Sequence, residues 1–299
     1  MGRKIMGSQT FNGHSMVGTL ERVLVCSPHT AGWNDPTMAA SWKELGFLHP
    51  PDFTQAQAQH EAACHQLEAA GAEVIHLTPS PDLSLDAAFP HDTSFPTDHG
   101  LIVLNPGKAN RRAEAARHRD FCQGLGIPVL GEITAPATAE GGDLVWLDAR
   151  TLLVGRGYRS NAAGIEQLRG LLAPTGVEVI SVPLVHYEGA GFCLHLMSLM
   201  SMLDEETVLV DLPLLAVETV ELLHSRGLRL VEIDPEERLT QACNVLSLGR
   251  RRLLAIEQNQ RTNRRLQQFG FDVRTFPGGE LCLNGGGGPT CLTRPLLRD

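Results

Sequence analysis

The sequence predicts an α/β fold built from five repeated units, and two observations indicate it. First, a helical stretch ends at a glycine and leads into a β-rich stretch five times, as in Gly71-Ala-Glu-Val-Ile. Second, each β-rich stretch is followed by a loop with a polar or reactive side chain. Junctions that recur every 43 to 55 residues are typical of repeat architectures, in which one supersecondary unit packs against the next. The junction glycines are Gly71, Gly126, Gly176, Gly227 and Gly270.

One candidate functional residue lies in each of the five loops. If the units surround a common axis, loops at the same end of every unit meet near that axis, and side chains far apart in sequence become neighbours. Two carboxylates, a histidine and a cysteine brought together in this way would form an active site. The five residues are Asp92, Glu140, His195, Asn244 and Cys291.

Hydrophobic periodicity places helices and hairpins within the units. Residues 56–70 carry an apolar stripe at helical spacing and end at Gly71, the usual kind of residue after a helix C-terminus. Similar stripes precede Gly176 and Gly227. Short apolar runs separated by polar turns predict hairpins that join residues 144–147 to 152–154 and residues 245–248 to 253–256. Each unit is therefore predicted to run strand, functional loop, hairpin and helix.

The fifth unit stops shortly after Cys291, but its missing parts are present at the other end of the chain. An apolar run at residues 23–26 and the helix at 56–70 would complete it. Pairing the first strand with the last unit closes a ring and removes exposed strand edges. We therefore expect a single catalytic domain over residues 20–299. Residues 1–19 are expected to form a mobile tail, because residues 1–16 are polar and glycine-rich.

Composition excludes some classes of partner. The chain has 42% hydrophobic and 20% charged residues, and no apolar run approaches the roughly 18 residues of a membrane-spanning helix. A net charge of −9 argues against nucleic acid or an anionic membrane and suits a small cationic substrate. No basic-then-apolar start indicates a secretory signal. Seven cysteines without CxxC spacing indicate reduced thiols, so a cytoplasmic location is expected. The cysteines expected to be buried in apolar surroundings are Cys26, Cys122, Cys193 and Cys282.

Cys291 differs from those cysteines because it follows a run of four glycines at residues 285–288. Glycine runs favour unusual backbone angles or close backbone approach, and exposed amides beside a cysteine stabilise its thiolate. The alternative is a flexible turn ahead of a buried cysteine. A phosphate-binding loop is disfavoured, since no Lys-Ser or Lys-Thr pair follows the glycines and the next residues do not continue as a helix.

His195 and the Glu140-Gly-Gly-Asp143 motif are each ambiguous alone. His195 lies in an apolar stretch, where a histidine is more often part of the core than of a site. A zinc site with Cys193 and His186 is rejected, because the spacing matches no standard pattern and a fourth ligand is missing. The two carboxylates of the motif form either a solvated turn or a functional pair. In the functional pair, one would orient a histidine and the other would hold a cation.

Four motifs resemble the signatures of the guanidino-group-modifying enzymes and occur in the same order along the chain. The resemblance spans residues 20–297 and implies a five-bladed pseudo-symmetric α/β-propeller, the pentein fold. This superfamily includes dimethylargininase, arginine deiminase, agmatine deiminase and the amidinotransferases. The four motifs are Phe89-Pro-His-Asp92, Glu140-Gly-Gly-Asp143, Leu194-His-Leu196 and Gly-Gly-Pro-Thr-Cys291-Leu-Thr.

Within this superfamily, the likeness is greatest to dimethylargininase. Two further stretches show this likeness. In the first, Pro106-Gly107 leads to Arg111-Arg112-Ala-Glu114, and the second, which follows the Glu140 motif, is Arg159-Ser-Asn161. Asp92 and Glu140 are only 48 positions apart. That separation leaves no room for the helical insertion of the arginine deiminases.

The resemblance implies cysteine-dependent hydrolysis of a guanidinium group, without a metal or an organic cofactor. Cys291 would attack as a thiolate, and His195 would protonate the departing amine and then activate water. Glu140 would orient the imidazole, and Asp92 would hold the guanidinium by paired hydrogen bonds. Hydrolysis of a methylated arginine would give citrulline and an amine.

The resemblance also implies residues that bind the rest of the substrate. Asp86 would meet the α-amino group, and Arg111 and Arg159 would bind the α-carboxylate. Asp143 completes the expected substrate-binding set. Without the resemblance, the two arginines are interpreted as solvated surface charges.

Two departures from the family pattern limit the substrate prediction. His91 precedes Asp92 where dimethylargininases carry an acid, and Met197 stands where arginine deiminases and amidinotransferases have a second aspartate. Loss of that aspartate disfavours plain arginine and favours a larger, more apolar pocket. Arginine deiminase chemistry, amidinotransferase chemistry and a catalytically silent arginine-binding propeller remain as alternatives. The loop at residues 28–35, around Trp33, is a candidate lid, and a homodimer is one expected assembly.

Overall fold

The computed structural model describes residues 10–299, and these residues form five three-stranded sheets. In every sheet an antiparallel pair of strands is extended by a third strand that runs parallel to the middle one. The strands are β1 (Leu20–Val25), β2 (Glu73–His76), β3 (Ser94–Thr97), β4 (Gly100–Val103), β5 (Val129–Glu132), β6 (Leu144–Asp148), β7 (Thr151–Arg156), β8 (Glu178–Pro183), β9 (Met200–Asp204), β10 (Thr207–Val210), β11 (Arg229–Glu232), β12 (Leu246–Gly249), β13 (Arg252–Ile256), β14 (Asp272–Phe276) and β15 (Arg294–Arg298).

A helix precedes the parallel third strand of each sheet and lies between it and the antiparallel pair along the chain. A short additional helix, α1, follows β1. The helices are α1 (Pro36–Ala39), α2 (Phe53–Ala69), α3 (Arg112–Gly124), α4 (Ala162–Leu172), α5 (Val217–Ser225) and α6 (Gln260–Gln268). The helix predicted over residues 56–70 is α2, and the two predicted hairpins are β6–β7 and β12–β13, so these predictions are confirmed.

Local sequence explains where these elements begin. Asn161 caps α4, because its side chain accepts a hydrogen bond from the Gly164 amide at 2.8 Å. From that start, Ile165, Leu168 and Leu172 form the buried face of the helix. In β7 the residues Thr151–Gly155 are all buried, as expected for a strand that is covered on both faces.

Each helix gives way to its third strand at a glycine with a positive φ angle. The φ angles of these five glycines lie between 73° and 99°, a region that residues with a Cβ rarely adopt. The glycines are the predicted junctions Gly71, Gly126, Gly176, Gly227 and Gly270. The repeat seen in the sequence is therefore a repeated backbone turn that ends a helix.

Contacts between strands of neighbouring sheets arrange the sheets as a ring. Contacts join β6 to β9, β9 to β12, β12 to β1, and β15 to β3. Between β3 and β6, the rings of Phe95 and Trp146 stack with their centroids 5.7 Å apart. The fold is a five-bladed α/β-propeller.

The last blade is completed by the N-terminal strand. β15 pairs antiparallel with β1, so that Arg294 lies opposite Leu24 and Arg298 opposite Leu20, and β2 pairs parallel on the other side of β1. This pairing confirms the predicted closure of the ring. β1 is thereby the middle strand of its sheet, and β15 is an outer strand that is paired on one side.

Residues 10–19 differ from the expectation of a mobile tail, because they make specific contacts with the rest of the chain. The amide of Asn12 donates to the Leu296 carbonyl at 2.9 Å. The His14 ring lies 4.2 Å from the ring of Trp146, and His14 is buried. Residues 1–9, the remainder of the expected tail, lie outside the described residues.

The cysteines follow the sequence prediction with one exception. Cys26, Cys122 and Cys282 are buried, as expected. Cys193 is exposed, so the prediction for this residue is wrong. It lies in a long loop after β8, where the apolar residues around it in sequence do not form a packed strand. In residues 10–299 no helix has both the length and the apolar composition needed to cross a membrane.

Candidate active site

Glu140 and His195 form a hydrogen-bonded pair at the inner ends of two neighbouring blades. The Oε2 atom of Glu140 lies 2.6 Å from Nε2 of His195, and both side chains are buried. Two further contacts hold Glu140 in place. Its amide donates to Ser160 Oγ at 3.0 Å, and its Oε1 accepts from the Lys108 amide at 3.1 Å. The predicted orienting role of Glu140 therefore has a matching geometry.

The pair is arranged to carry opposite charges. Burial lowers the pKa of His195, but its contacts with neighbouring Cys193 and with the carboxylates of Asp92 and Asp143 outweigh burial and raise it well above its ordinary value. Burial acts on Glu140 in the opposite sense, yet the hydrogen bond from His195 keeps the pKa of Glu140 below its usual range. At neutral pH the pair is an imidazolium beside a carboxylate.

Asp92 lies on the other side of the imidazole. Its Oδ1 accepts a hydrogen bond from the Gly142 amide at 3.0 Å and lies 3.9 Å from His195 Nδ1. A Cβ atom on Gly142 would lie 2.4 Å from that same nitrogen, so only glycine fits between the two side chains. Burial raises the pKa of Asp92, but the charges of His195 and Arg111 hold it well below its usual range. Asp92 is therefore ionised.

Cys291 is half-buried at the end of the glycine-rich loop. Its Sγ accepts a hydrogen bond from Nδ2 of Asn244 at 3.0 Å. Its carbonyl oxygen lies 3.4 Å from the amide of His91, next to Asp92. Burial and the negative charge of Asp92 raise the pKa of the Cys291 thiol to about 11, while His195 and Asn244 act in the opposite direction.

The nearest thiol to His195 is Cys193, which sequence reasoning had assigned to the core. Cys193 Sγ lies 3.6 Å from Nδ1 and 3.9 Å from Nε2 of the imidazole. Within residues 10–299, Cys291 makes its hydrogen bond with Asn244 and none with His195. The spacing Cys193-Leu-His195 was the signal for this contact, because side chains two positions apart in an extended segment point the same way.

The guanidinium of Arg111 forms hydrogen bonds with two acidic side chains and one backbone carbonyl of the chain. Its Nη1 donates to Asp92 Oδ2 at 2.6 Å, its Nη2 donates to the Phe89 carbonyl at 2.7 Å, and both Nε and Nη2 reach Glu114 Oε2. The side chain is buried, so the interpretation of Arg111 as a solvated surface charge is wrong. These bonds use four of its five N–H donors, so a two-hydrogen-bond contact with a substrate α-carboxylate requires at least one of them to break.

Arg159 and Asp86 also form ion pairs and hydrogen bonds with other residues of the chain. Arg159 Nη1 lies 3.4 Å from both carboxylate oxygens of Glu140. Asp86 Oδ2 accepts from Lys108 Nζ at 2.7 Å and from Asn110 Nδ2 at 2.8 Å. Sequence reasoning missed Lys108, whose ammonium occupies the position expected for the substrate α-amino group. It lies directly after Pro106-Gly107, one of the quoted stretches.

The geometry does not support Asp143 as a substrate-binding residue. Its Oδ2 accepts from Ser160 Oγ at 2.6 Å, and its Oδ1 accepts from the Leu196 amide at 3.0 Å. Both oxygens thus face neighbouring loops, and the side chain is completely buried. Asp143 holds the backbone that follows His195 and leaves no oxygen facing a ligand.

The two departures from the family pattern also point into the protein. His91 Nδ1 bonds the Thr293 carbonyl at 2.7 Å, and its own carbonyl accepts from Arg294. Met197 is buried in an apolar cluster with Val145 and Met200. Neither side chain therefore enlarges the site directly.

Trp33 anchors the loop that was a candidate lid. Its indole Nε1 donates to the Leu85 carbonyl at 2.9 Å, and its ring lies 5.2 Å from the ring of Phe47. Ala31 and Trp33 are buried. The centre of this loop is therefore part of the core, and the structure does not favour a lid that opens at Trp33.

The carboxylates and the imidazole are close enough to be compared with a metal site. One ligand atom from each of Asp92, Glu140 and His195 lies within 4.8 Å of the other two. Arg111 and Arg159 contact the same two carboxylates. Both carboxylates are thus already paired with guanidinium groups of the chain in this structure.

This combination of fold and site defines a class of protein. A five-bladed α/β-propeller that gathers a cysteine, a histidine and two carboxylates at its inner loops is characteristic of the guanidino-group-modifying enzymes. Comparison with known proteins narrows the class. The chain belongs to the dimethylargininase family, because the family model described as N,N dimethylarginine dimethylhydrolase, eukaryotic, matches residues 51–298.

The relatives include a dimethylarginine dimethylaminohydrolase and an arginine deiminase. The chain is 32% identical over 247 residues to an N(G),N(G)-dimethylarginine dimethylaminohydrolase of Streptomyces coelicolor, covering 81% of this chain and 86% of that protein. It is 29% identical over 197 residues to an arginine deiminase of Mycobacterium avium, covering 56% of this chain and 47% of that protein.

Solved structures share the fold at lower identity. A dimethylarginine dimethylaminohydrolase mutant from Pseudomonas aeruginosa, complexed with citrulline, is 22% identical with a TM-score of 0.72. That likeness covers 94% of this chain and all of the other. An amidinotransferase from Microseira wollei is 17% identical with a TM-score of 0.77, covering 97% of this chain and 98% of the other.

Proposed function

We propose that the protein hydrolyses a guanidinium C–N bond of methylated arginine or a close analogue and releases citrulline and an amine. The observation that carries this proposal is the Glu140–His195 pair at 2.6 Å, beside Asp92, in a member of the dimethylargininase family. The substrate class follows from the family and from the acidic inner site. Residues 20–299 act as one catalytic domain in this proposal.

Cys291 loses its thiol proton to solvent when the cationic guanidinium binds beside it, and the resulting thiolate attacks the guanidinium carbon. This carbon is a poor electrophile because its charge is spread over three nitrogens, so a strong nucleophile is needed. Attack forms a C–S bond and a tetrahedral adduct. The C–N bond to the departing amine then breaks, and the amine leaves with a proton from His195. A covalent thiouronium remains on Cys291.

Water completes the turnover. His195, now neutral, takes a proton from the attacking water as a C–O bond forms to the thiouronium carbon. The C–S bond breaks, the hydroxyl proton of the adduct is released to solvent, the thiolate is regenerated, and citrulline is released. Glu140 stabilises the imidazolium before and after each transfer. Its contact with Nε2 at 2.6 Å makes it the orienting group for both steps.

The substrate guanidinium binds Asp92 by paired hydrogen bonds in this proposal. Arg111 occupies one oxygen of that carboxylate in the structure, so the substrate competes with it. Once Arg111 leaves Asp92, its Nη1 is free to bind the α-carboxylate together with Arg159. Asp86 binds the α-amino group in place of Lys108. Ionised Asp92 and the nearby Glu140 supply the charge that a cation needs.

Arginine deiminase activity is the second candidate, and the identity to the Mycobacterium avium deiminase favours it. A panel of arginine, monomethylarginine and asymmetric dimethylarginine separates the two activities by the amine released. Dimethylamine or methylamine supports the proposal, whereas ammonia from arginine alone supports the deiminase.

Two other outcomes of the same panel have distinct signatures. Turnover that rises with an added acceptor amine indicates an amidinotransferase. Stabilisation by these ligands without any product, and without alkylation of Cys291 by a haloamidine, indicates a silent binding protein. A cytoplasmic location and a homodimer without nucleic-acid or membrane partners complete the proposal. The reduced cysteines and the net charge of −9 support the location and the small cationic substrate.

A further inference from the structure

Asn244 connects the fourth blade to the catalytic loop of the fifth. Its side chain lies between two groups of that loop, accepting from the Thr290 amide at 2.9 Å and donating to Cys291 Sγ at 3.0 Å. Asn244 is buried, in the loop between β11 and β12. It is the only one of the five inner-loop residues singled out in the sequence that has no role in the proposed reaction.

The orientation of the Asn244 amide follows from its partners. The Thr290 backbone amide is a donor only, so the atom that faces it must be the carbonyl oxygen Oδ1. The NH₂ group is then directed at the sulfur. The side chain presents a donor to Cys291 in any protonation state of the thiol.

Gly288 allows this approach. A Cβ atom on Gly288 would lie 2.7 to 2.8 Å from three atoms of the Asn244 side chain, namely Cβ, Cγ and Oδ1. A larger residue would therefore push the amide away from the sulfur. The glycine run before Cys291 is explained in part by the need to pack the loop backbone against Asn244.

We propose that Asn244 is a positioning residue that stabilises Cys291 as a thiolate and fixes the direction of its sulfur. A hydrogen bond to a charged acceptor is stronger than one to a neutral acceptor, so the donor favours the thiolate over the thiol. The effect on turnover rests on the proposed function. The effect on the thiol does not.

Other groups around Cys291 make this donor important. Burial and the charge of Asp92 disfavour a thiolate at Cys291, and the charge of His195 opposes them. Asn244 is the neutral group in this set, and its contribution is independent of pH.

Alkylation of Cys291 by iodoacetamide, followed by peptide mass mapping across a range of pH, tests the proposal on the full chain. Asn244→Asp keeps the acceptor for Thr290 and loses the donor to sulfur, whereas Asn244→Ala loses both. In both variants the alkylation midpoint is expected to rise by about one pH unit or more, and the rate at neutral pH to fall about ten-fold. Asn263→Asp is the matched control, because Asn263 is a buried amide that donates to the Ile256 carbonyl.

The outcomes separate positioning from simple support of the loop. A wild-type midpoint in Asn244→Asp or in folded Asn244→Ala overturns the proposal, as does an equal shift in Asn263→Asp. Thermal unfolding of each variant verifies the fold. Citrulline release provides the second readout, with kcat lowered about ten-fold and KM nearly unchanged. If the wild-type protein releases no citrulline, the proposed function fails while the alkylation profile still decides the role of Asn244.

Discussion

Arg111 donates to Asp92 over 2.6 Å, so the carboxylate proposed to hold the substrate guanidinium already binds a guanidinium of the chain. Arg159 stands in a similar relation to Glu140 at 3.4 Å. In both contacts the acid lies deep in the site and the arginine reaches it from a neighbouring loop. A substrate guanidinium therefore exchanges one ion pair for another and buries no uncompensated charge.

The two arginines are expected to respond differently to truncation. Arg111→Ala leaves Glu114 and Asp92 buried without their cation, so it should lower the free energy of unfolding by about 3 kcal/mol. Arg159→Ala removes a partly exposed side chain and should raise KM about ten-fold, with a change of less than about 1 kcal/mol in unfolding free energy. Urea unfolding and steady-state kinetics measure the two effects. Equal destabilisation by both substitutions would contradict the buried ion-pair interpretation of Arg111.

Cys291 and His195 are expected to be indispensable for citrulline release. Cys291→Ser should reduce the rate by about 10³-fold or more, since a hydroxyl is a much weaker nucleophile than a thiolate. His195→Ala should reduce it by about 10² to 10⁴-fold through loss of acid–base catalysis. Cys64→Ala, which removes a buried thiol in α2, is the control and should keep its activity. Near-normal turnover in either active-site variant would remove that residue from the mechanism.

The Glu140–His195 pair predicts a specific pH dependence. The pKa of His195 is raised, so its protonated form persists through neutral pH and is lost as the pH rises through that elevated value. Glu140→Gln removes the charge that stabilises the cation, and the basic limb of kcat/KM should move to lower pH by about one unit. Glu132→Gln, an exposed acid in β5, should leave the profile unchanged. A basic limb that does not move would show that Glu140 leaves the imidazole unaffected.

Asp143 predicts a pH dependence of stability. Burial raises the pKa of Asp143 to about 6, above its unfolded value of about 3.9. Its stabilising contribution is present below about pH 4 and is lost as the pH rises through about 6, by up to about 3 kcal/mol. Asp143→Asn stays neutral and still accepts from the Leu196 amide, so this decline should become shallower.

Urea unfolding at several pH values between 4 and 7 measures the effect of Asp143→Asn. Asp148→Asn is the control. Asp148 is an exposed acid at the end of β6, and its replacement should not change the decline of stability with pH. An identical pH dependence in wild type and Asp143→Asn would show that Asp143 is ionised throughout this range.

The sequence predicted best those features that a local backbone preference determines. Gly71 and its four counterparts end helices because a left-handed turn favours glycine, and their recurrence revealed five blades. The split fifth blade was also predictable, since an unpaired N-terminal strand and a truncated last unit complement each other. The residues at the inner loops followed from that repeat together with the family motifs.

Partners of buried side chains were less predictable. Asp143 and Glu140 occupy one short motif, yet the first holds the backbone at Leu196 and the second meets His195. Cys193 was assigned to the core from its apolar neighbours and lies exposed beside the imidazole. Each of these contacts joins segments from different blades or depends on the path of a loop. Hydrophobic periodicity predicts helices and strands, but it does not predict such contacts.

The sequence by itself determined the repeat, the closure of the ring and the family, because these depend on backbone preferences and on motifs that occupy neighbouring positions. The tertiary structure decided which charged and polar side chains contact one another. Arg111 and Lys108 form ion pairs with Asp92 and Asp86, the acids expected to bind substrate. The Asn244 side chain donates a hydrogen bond to the sulfur of Cys291. Electrostatic energy depends on separation in space and on burial, and both are set only when the five blades close around one centre.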